Sequence, residues 1–146
     1  MKWLLATWLS CCSMTGFAQV IEPLNFGSLV IPRNNEHSSI TIYPDSHIQV
    51  NGLYVYERGN PAIMVFDSLS PGTQVFISDN VSNARLTGGS DGQYFLIEKL
   101  HYRQSHIVNQ HGELTLLIGA TLKTSANGNP YFDGRYTSIV EISLDY

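Results

Sequence analysis

The string Gly88-Gly89-Ser90-Asp91-Gly92 fits the G-x-S-x-G pattern in which a sharp turn lifts a serine nucleophile to the top of a sheet. That geometry needs a strand before the serine and a helix after it. The stretch that follows, 93–102, reads as a strand, so the string is better explained as a Gly-rich hairpin loop. His101, His106 and His111 recur every five residues. On a strand an odd spacing sends successive side chains to opposite faces, so His101 and His106 would converge only across a bend. No acidic residue stands between them to make a zinc-protease signature, and they read as exposed or loop histidines. The run Asp79-Asn80-Val81-Ser82-Asn83, with Asp91 beyond it, offers oxygen ligands of the kind calcium accepts. It lacks the spaced carboxylates and central glycine of a calcium loop, and turn chemistry accounts for it. Asn80-Val81-Ser82 also spells a glycosylation acceptor.

Tyr54 and Tyr56 share one face of an extended run in a chain with 8 tyrosines. Exposed, they would stack on a sugar or anchor a protein contact; turned toward a neighbouring strand, they would form cross-strand aromatic pairs. No cluster pairs a nucleophile with a base, and no phosphate loop or basic groove is visible. The sequence therefore reads as non-enzymatic, with no catalytic residue, cofactor or metal expected.

The elements that would position these residues are strands. Leu114, Leu116, Ile118, Ala120 and Leu122 alternate with Thr115, Gly119, Thr121 and Lys123. At the end of the chain Tyr136, Val140, Ile142, Leu144 and Tyr146 fall on one face, with Thr137, Glu141, Ser143 and Asp145 on the other and Ile139 as the exception. Each is the signature of a strand with one buried and one wet face. If the five inward residues of the last run are buried, each contributes roughly 1.5–3 kcal/mol. Further runs over 24–31, 39–43, 47–51, 62–66, 73–78 and 94–102 fit the same reading. Turn residues separate them, among them Pro44-Asp45, Asn51-Gly52, Arg58-Gly59-Asn60-Pro61, Pro71-Gly72 and Asn127-Gly128-Asn129-Pro130. Some seven to nine short strands at this spacing predict an all-β antiparallel sandwich.

Composition bounds the setting. The 146 residues carry 8 Lys+Arg against 12 Asp+Glu, a net charge of −4. An acidic chain of this kind argues against nucleic acid as partner and supplies no basic patch for anionic membranes. Lys2 precedes an apolar stretch from Trp3 to Phe17, and Gly16 and Ala18 place small residues before Gln19. That is the layout of a secretory signal cut before Gln19, too short and too interrupted by Ser10, Ser13 and Thr15 for a membrane span. The expected division is therefore a signal peptide over 1–18 and a single domain over 19–146. Export to the periplasm, cell surface or extracellular space follows, with no membrane insertion after cleavage. Both cysteines, Cys11 and Cys12, fall in the leader, so the exported domain has no disulfide to rely on. Trp8-Leu9-Ser10 fits poorly as the lead-in to a lipoprotein cut before Cys11.

With the strands placed, the chain resembles the bacterial domain-of-unknown-function family 4402. The likeness rests on Leu24-Asn25-Phe26-Gly27-Ser28-Leu29-Val30-Ile31-Pro32 with Ser39-Ile40-Thr41-Ile42, then Gly112-Glu113-Leu114-Thr115-Leu116, Ile118-Gly119-Ala120-Thr121-Leu122 and Asp133-Gly134-Arg135-Tyr136-Thr137 through to Tyr146. The same framework is similar to spore coat protein U-like and chaperone–usher pilin subunits. The resemblance implies an immunoglobulin-like or pilin-like sandwich used as a fimbria-like or coat-like surface component that pairs strands with a partner. Its partners would be other fibre subunits or a periplasmic chaperone, with the Phe26-Gly27 turn and the last strand (Tyr136, Val140, Ile142, Leu144, Tyr146) as the structural and partner-strand residues. Only Gln19-Val20-Ile21-Glu22 precede Pro23, too short a donor segment for a pilin, and the pilin cysteine is missing. The domain is thus either self-complete or a strand acceptor. The other functional reading is a self-complete secreted module that holds a glycan or peptide with its loops and the Tyr54/Tyr56 face.

Overall fold

The computed structural model describes residues 17–82, 84–88 and 92–146, and among them every regular element is a β-strand. In chain order these are β1 (Phe17–Glu22), β2 (Asn25–Val30), β3 (Ser39–Ile42), β4 (Ile48–Asn51), β5 (Tyr54–Asn60), β6 (Ala62–Asp67), β7 (Gln74–Asp79), β8 (Ala84–Thr87), β9 (Tyr94–His101), β10 (Ser105–Ile107), β11 (Leu114–Thr124) and β12 (Ile142–Asp145). All their pairings are antiparallel. The predicted antiparallel sandwich is what the chain forms. The strand count exceeds the predicted seven to nine because β8 and β10 are four and three residues long, too short to carry a readable period. The other addition, β1, contains Phe17 and Ala18 from the expected leader; residues 1–16 lie outside the described ones.

β11 organises the whole. Its first half, Leu114 to Ile118, pairs with β6, and its second half, from Gly119 onward, with β9 and β3 on either side. β1 extends this long sheet beyond β6, β4 beyond β3 and β8 beyond β9. A three-stranded sheet, β10-β7-β12, and a ribbon, β2-β5, complete the fold. The alternation read from sequence is realised: Leu114, Leu116, Ile118, Ala120 and Leu122 are all buried, Leu116 and Ala120 completely.

Those five residues serve two cores. Leu114, Leu116 and Ile118 join Phe66 of β6 and Val75 and Ile77 of β7 in a first cluster. Ala120 and Leu122 join Phe26, Ile40, Ile42, Phe95 and Ile97 in a second. Gly119 stands at the crossover for a steric reason, since a Cβ there would overlap the Ile42 carbonyl oxygen of β3. Leu24 and Leu100 touch both clusters and join them into one hydrophobic interior.

Three expectations are corrected. Phe26 and Gly27 lie inside β2 and form no turn. Gly27 has a φ of 81°, and a Cβ there would overlap the Glu57 carbonyl of β5, so close strand crossing is what requires the glycine. Arg58, Gly59 and Asn60 continue β5, and the chain changes sheet only at the buried Pro61. The terminal run is strand only over Ile142–Asp145, and Tyr146 is 67% exposed, so it does not point into the interior. Ile142 and Leu144 are half-buried against the first cluster, and Tyr136 and Val140 against the second. The last strand therefore covers the core from its rim, and β11 supplies the central burial the terminal strand was expected to give.

Leu116→Ala should cost about 2–5 kcal/mol, the range for emptying a fully packed site, and Leu144→Ala at the rim about half of that or less. Urea denaturation of the two variants checks the order; a larger loss at Leu144 would place the centre of the core at the terminus after all.

Candidate functional site

Three features of the surface bear on function: an open sheet edge, an aromatic ribbon and a polar cleft. The edge belongs to β12. It pairs with β7 from Ile142↔Asp79 to Asp145↔Phe76 and has no neighbour on its other side among the described residues. Its inward residues, Ile142 and Leu144, are half-buried. Ahead of it, Tyr136 and Tyr131 are fastened to Phe95, with ring centroids 5.0 Å and 4.3 Å from it. At one end of the long sheet, β1 lies on β6, with Val20 opposite Met64 and 56% exposed. The short segment Gln19–Glu22 thus pairs within its own chain.

On the ribbon, Tyr54 and Tyr56 point outward, 68% and 80% exposed, and Val30 lies opposite Tyr54. Neither ring stacks on another aromatic among the described residues, so the cross-strand aromatic pairing that sequence allowed does not occur. Two open phenol faces on one side of a strand remain available.

The cleft, about 310 Å³, is lined by Asp79, Val81, Lys99, Leu100, Tyr102 and Gln104. The Tyr102 hydroxyl donates to Asp79 Oδ2 at 2.6 Å, and the Val81 N–H donates to Asp79 Oδ1 at 2.9 Å. Burial, then the hydrogen bond to Asp79 and its charge, push the Tyr102 phenol up to about 12, so it remains a donor at neutral pH. Both oxygens of Asp79 are engaged. Asn80 is occupied too, since its Oδ1 accepts the Glu141 N–H at 3.1 Å. The oxygen-rich run therefore ties β7 to the terminal segment; Asn83 and Asp91, which would complete a calcium loop, lie outside the described residues.

The remaining motifs separate in space. Residues 89–91 of the Gly-rich string are outside the described residues, and the strand β9 follows where a nucleophile elbow needs a helix. His101 projects from β9, with Nε2 2.7 Å from Thr121 Oγ1, whereas His106 Nε2 reaches the Arg103 carbonyl at 2.9 Å and His111 is exposed in a loop. Among the described residues no three His, Cys, Asp or Glu side chains are placed to hold a metal. His101 has company that sequence did not suggest. It pairs across from Gly119, its ring lies 5.2 Å from that of Tyr43, and Tyr43 in turn stacks on His47 at 5.7 Å.

A buried polar knot was also missed. Asn34, 4% exposed, has its Nδ2 within 2.8–3.0 Å of Asn129 O, Ser125 Oγ and Asn127 Oδ1, while its Oδ1 accepts the Ala126 N–H at 2.9 Å. That last bond holds Ala126 at a φ of 55°, which a non-glycine residue rarely adopts unaided. Gln93 and the Tyr131 hydroxyl close the knot on the Asn127 side chain and the Tyr94 carbonyl. Its partners are some ninety residues apart in the chain, so no local pattern announces it.

Asn34→Ala should destabilise the domain by about 1–3 kcal/mol and speed hydrogen exchange at Ala126, whose N–H loses its acceptor, the Asn34 side-chain oxygen. His101 is a pH probe. Burial, assisted by Lys99 and opposed by Glu98, lowers its pKa from 6.5. The unfolded chain then takes up the proton more readily, so this contribution to stability is complete above about pH 6.5 and is lost as the pH falls. Between about pH 7 and 5 the wild-type melting midpoint should drop further than that of His101→Asn; parallel curves would remove His101 from the account.

No curated protein and no solved structure matches the chain. Its sequence does match one family, described as Domain of unknown function (DUF4402), over residues 17–146, which takes in all the described strands from β1 to β12. A match of that extent shows the relationship the Phe26-Gly27 and Gly119 segments suggested, and the chain belongs to the DUF4402 family.

Proposed function

We propose that this chain is an exported, non-enzymatic surface component, fimbria-like or coat-like, whose work is to pair a strand with a partner. The observation that carries the reading is the flank at β12. A four-residue strand with half-buried Ile142 and Leu144 packs against the first cluster, whose nine buried residues are below 10% exposure. An added strand would receive the free N–H and C=O groups of β12 and finish covering those two side chains. Because Gln19–Glu22 lie on the chain's own β6, the reading is of a strand acceptor, with the donor coming from another fibre subunit or a chaperone. A synthetic peptide of alternating apolar residues should raise the melting midpoint by several degrees, and Leu144→Arg should abolish that gain. A protein that melts reversibly as a monomer and ignores every such peptide would sink the reading.

A second reading rests on the two open rings of Tyr54 and Tyr56. They suit stacking on a sugar ring or an apolar peptide side chain, which would make the domain a self-complete binding module. A glycan and peptide array decides it. Hits that vanish in Tyr54→Ala and Tyr56→Ala support this reading, and an empty array or undisturbed binding in the variants ends it.

A further inference from the structure

The chain contains two Asn-Gly pairs, Asn51-Gly52 and Asn127-Gly128, and the fold treats them in opposite ways. The pairing matters chemically because an asparagine side-chain carbon can reach the following backbone nitrogen, and a glycine there has no Cβ to obstruct the approach. Reaction needs two freedoms: the side-chain amide must swing toward the backbone, and the glycine N–H must be released from any acceptor. Asn127-Gly128 has neither. Asn127 Oδ1 accepts the Asn34 Nδ2–H at 3.0 Å and the Asn129 N–H at 3.0 Å, and Asn127 Nδ2 donates to Gln93 Oε1 at 3.2 Å. The Gly128 N–H donates to the Asn34 carbonyl at 2.9 Å. The buried Asn34 thus restrains both the electrophile and the nucleophile of that pair.

Asn51-Gly52 has both. Asn51 is exposed at the last position of the four-residue β4, and its side chain makes no hydrogen bond or ion pair among the described residues. β4 is the end strand of the long sheet and is paired on one side only, with Ser39 of β3 opposite Asn51. Gly52 is exposed with a φ of 74°. Its carbonyl accepts the Ser38 hydroxyl at 2.9 Å, whereas its N–H has no acceptor among the described residues. The end of a short strand held on one side opens more readily than a strand in the middle of a sheet. That gives the Asn51 amide the motion the reaction needs.

We infer that Asn51 is a site of spontaneous covalent modification, converted through a cyclic imide to aspartate and isoaspartate, while the Asn34 knot protects Asn127. The Gly52 nitrogen gives up its proton and bonds to Asn51 Cγ; the Cγ–Nδ2 bond breaks, and ammonia leaves carrying that proton. Water then opens the ring, and nothing is oxidised or reduced. Opening at Cγ restores the normal backbone with an aspartate; opening at the main-chain carbonyl leaves isoaspartate, whose backbone runs through Cβ and Cγ. Either product adds a negative charge to a chain of net charge −4 and places it on the open β4 edge, where charge discourages pairing with another strand. The inference is independent of the strand-pairing reading at β12.

Peptide mapping by mass spectrometry tests it on the purified full chain held for days at mildly alkaline pH. Asn51 should exchange its amide for a carboxyl about tenfold faster than Asn127 or more, since Asn127 must first break its bonds to Asn34 and Gln93. In guanidinium, with the fold removed, the two positions should react at similar rates. Asn51→Gln should abolish the reaction there and leave Asn127 unreacted. Asn34→Ala should speed the reaction at Asn127 severalfold. Leu144→Ala, which weakens the fold away from the knot, should leave Asn127 protected, and so separates loss of the knot from loss of stability. An unmodified Asn51, equal rates at the two positions in the folded chain, a rate ratio that persists in guanidinium, or an Asn127 still protected in Asn34→Ala overturns the inference.

Discussion

β11 must satisfy two sets of neighbours along one extended run. Its first half needs β6 for backbone pairing and β7 for packing; its second half needs β3 and β9 at once. A strand can do this only if its inward side chains stay apolar throughout while its backbone permits another strand to come very close at the changeover. Leu114, Leu116, Ile118, Ala120 and Leu122 meet the first condition, and Gly119 the second. Burying the large members of that row contributes several kcal/mol, comparable with the whole net stability of a domain. Both clusters share this wall, so loosening it would loosen them together.

Around that wall the sheet margins are finished unevenly. The long sheet ends on the chain's own N-terminal strand, β1, which covers β6, and the ribbon closes over the second cluster through Phe26, Leu29 and Val55. The β12 margin carries two half-buried aliphatic side chains and, among the described residues, a backbone edge with no further strand on it. Natural β proteins protect such edges because an unpaired strand invites another.

Alternation was the readable part of the code. β11, β3, β7 and β9 announced themselves because one buried and one wet face leave a period of two in the chain, whatever the partner strand is. Tyr54 and Tyr56 were legible for the same reason. The terminal run shows how far the rule goes: Tyr136, Val140, Ile142 and Leu144 do turn toward apolar surroundings, yet Tyr146 shares their parity and is exposed. Parity assigns a side, and only neighbours decide whether that side is covered.

From the residues alone came the fold class, the central strands, the turn glycines at Gly52 and Gly72 and the acidic balance that disfavours nucleic acid. All of these follow from local sterics, from burial periodicity or from simple charge. Tertiary structure alone decided that Gly119 divides two cores, that Asn34 knots the 125–131 loop to the 33–38 segment, and that Lys123 of β11 meets Glu98 of β9. Each of these depends on strands distant in sequence lying in a particular order and register, and sheet order leaves no periodic trace along the chain.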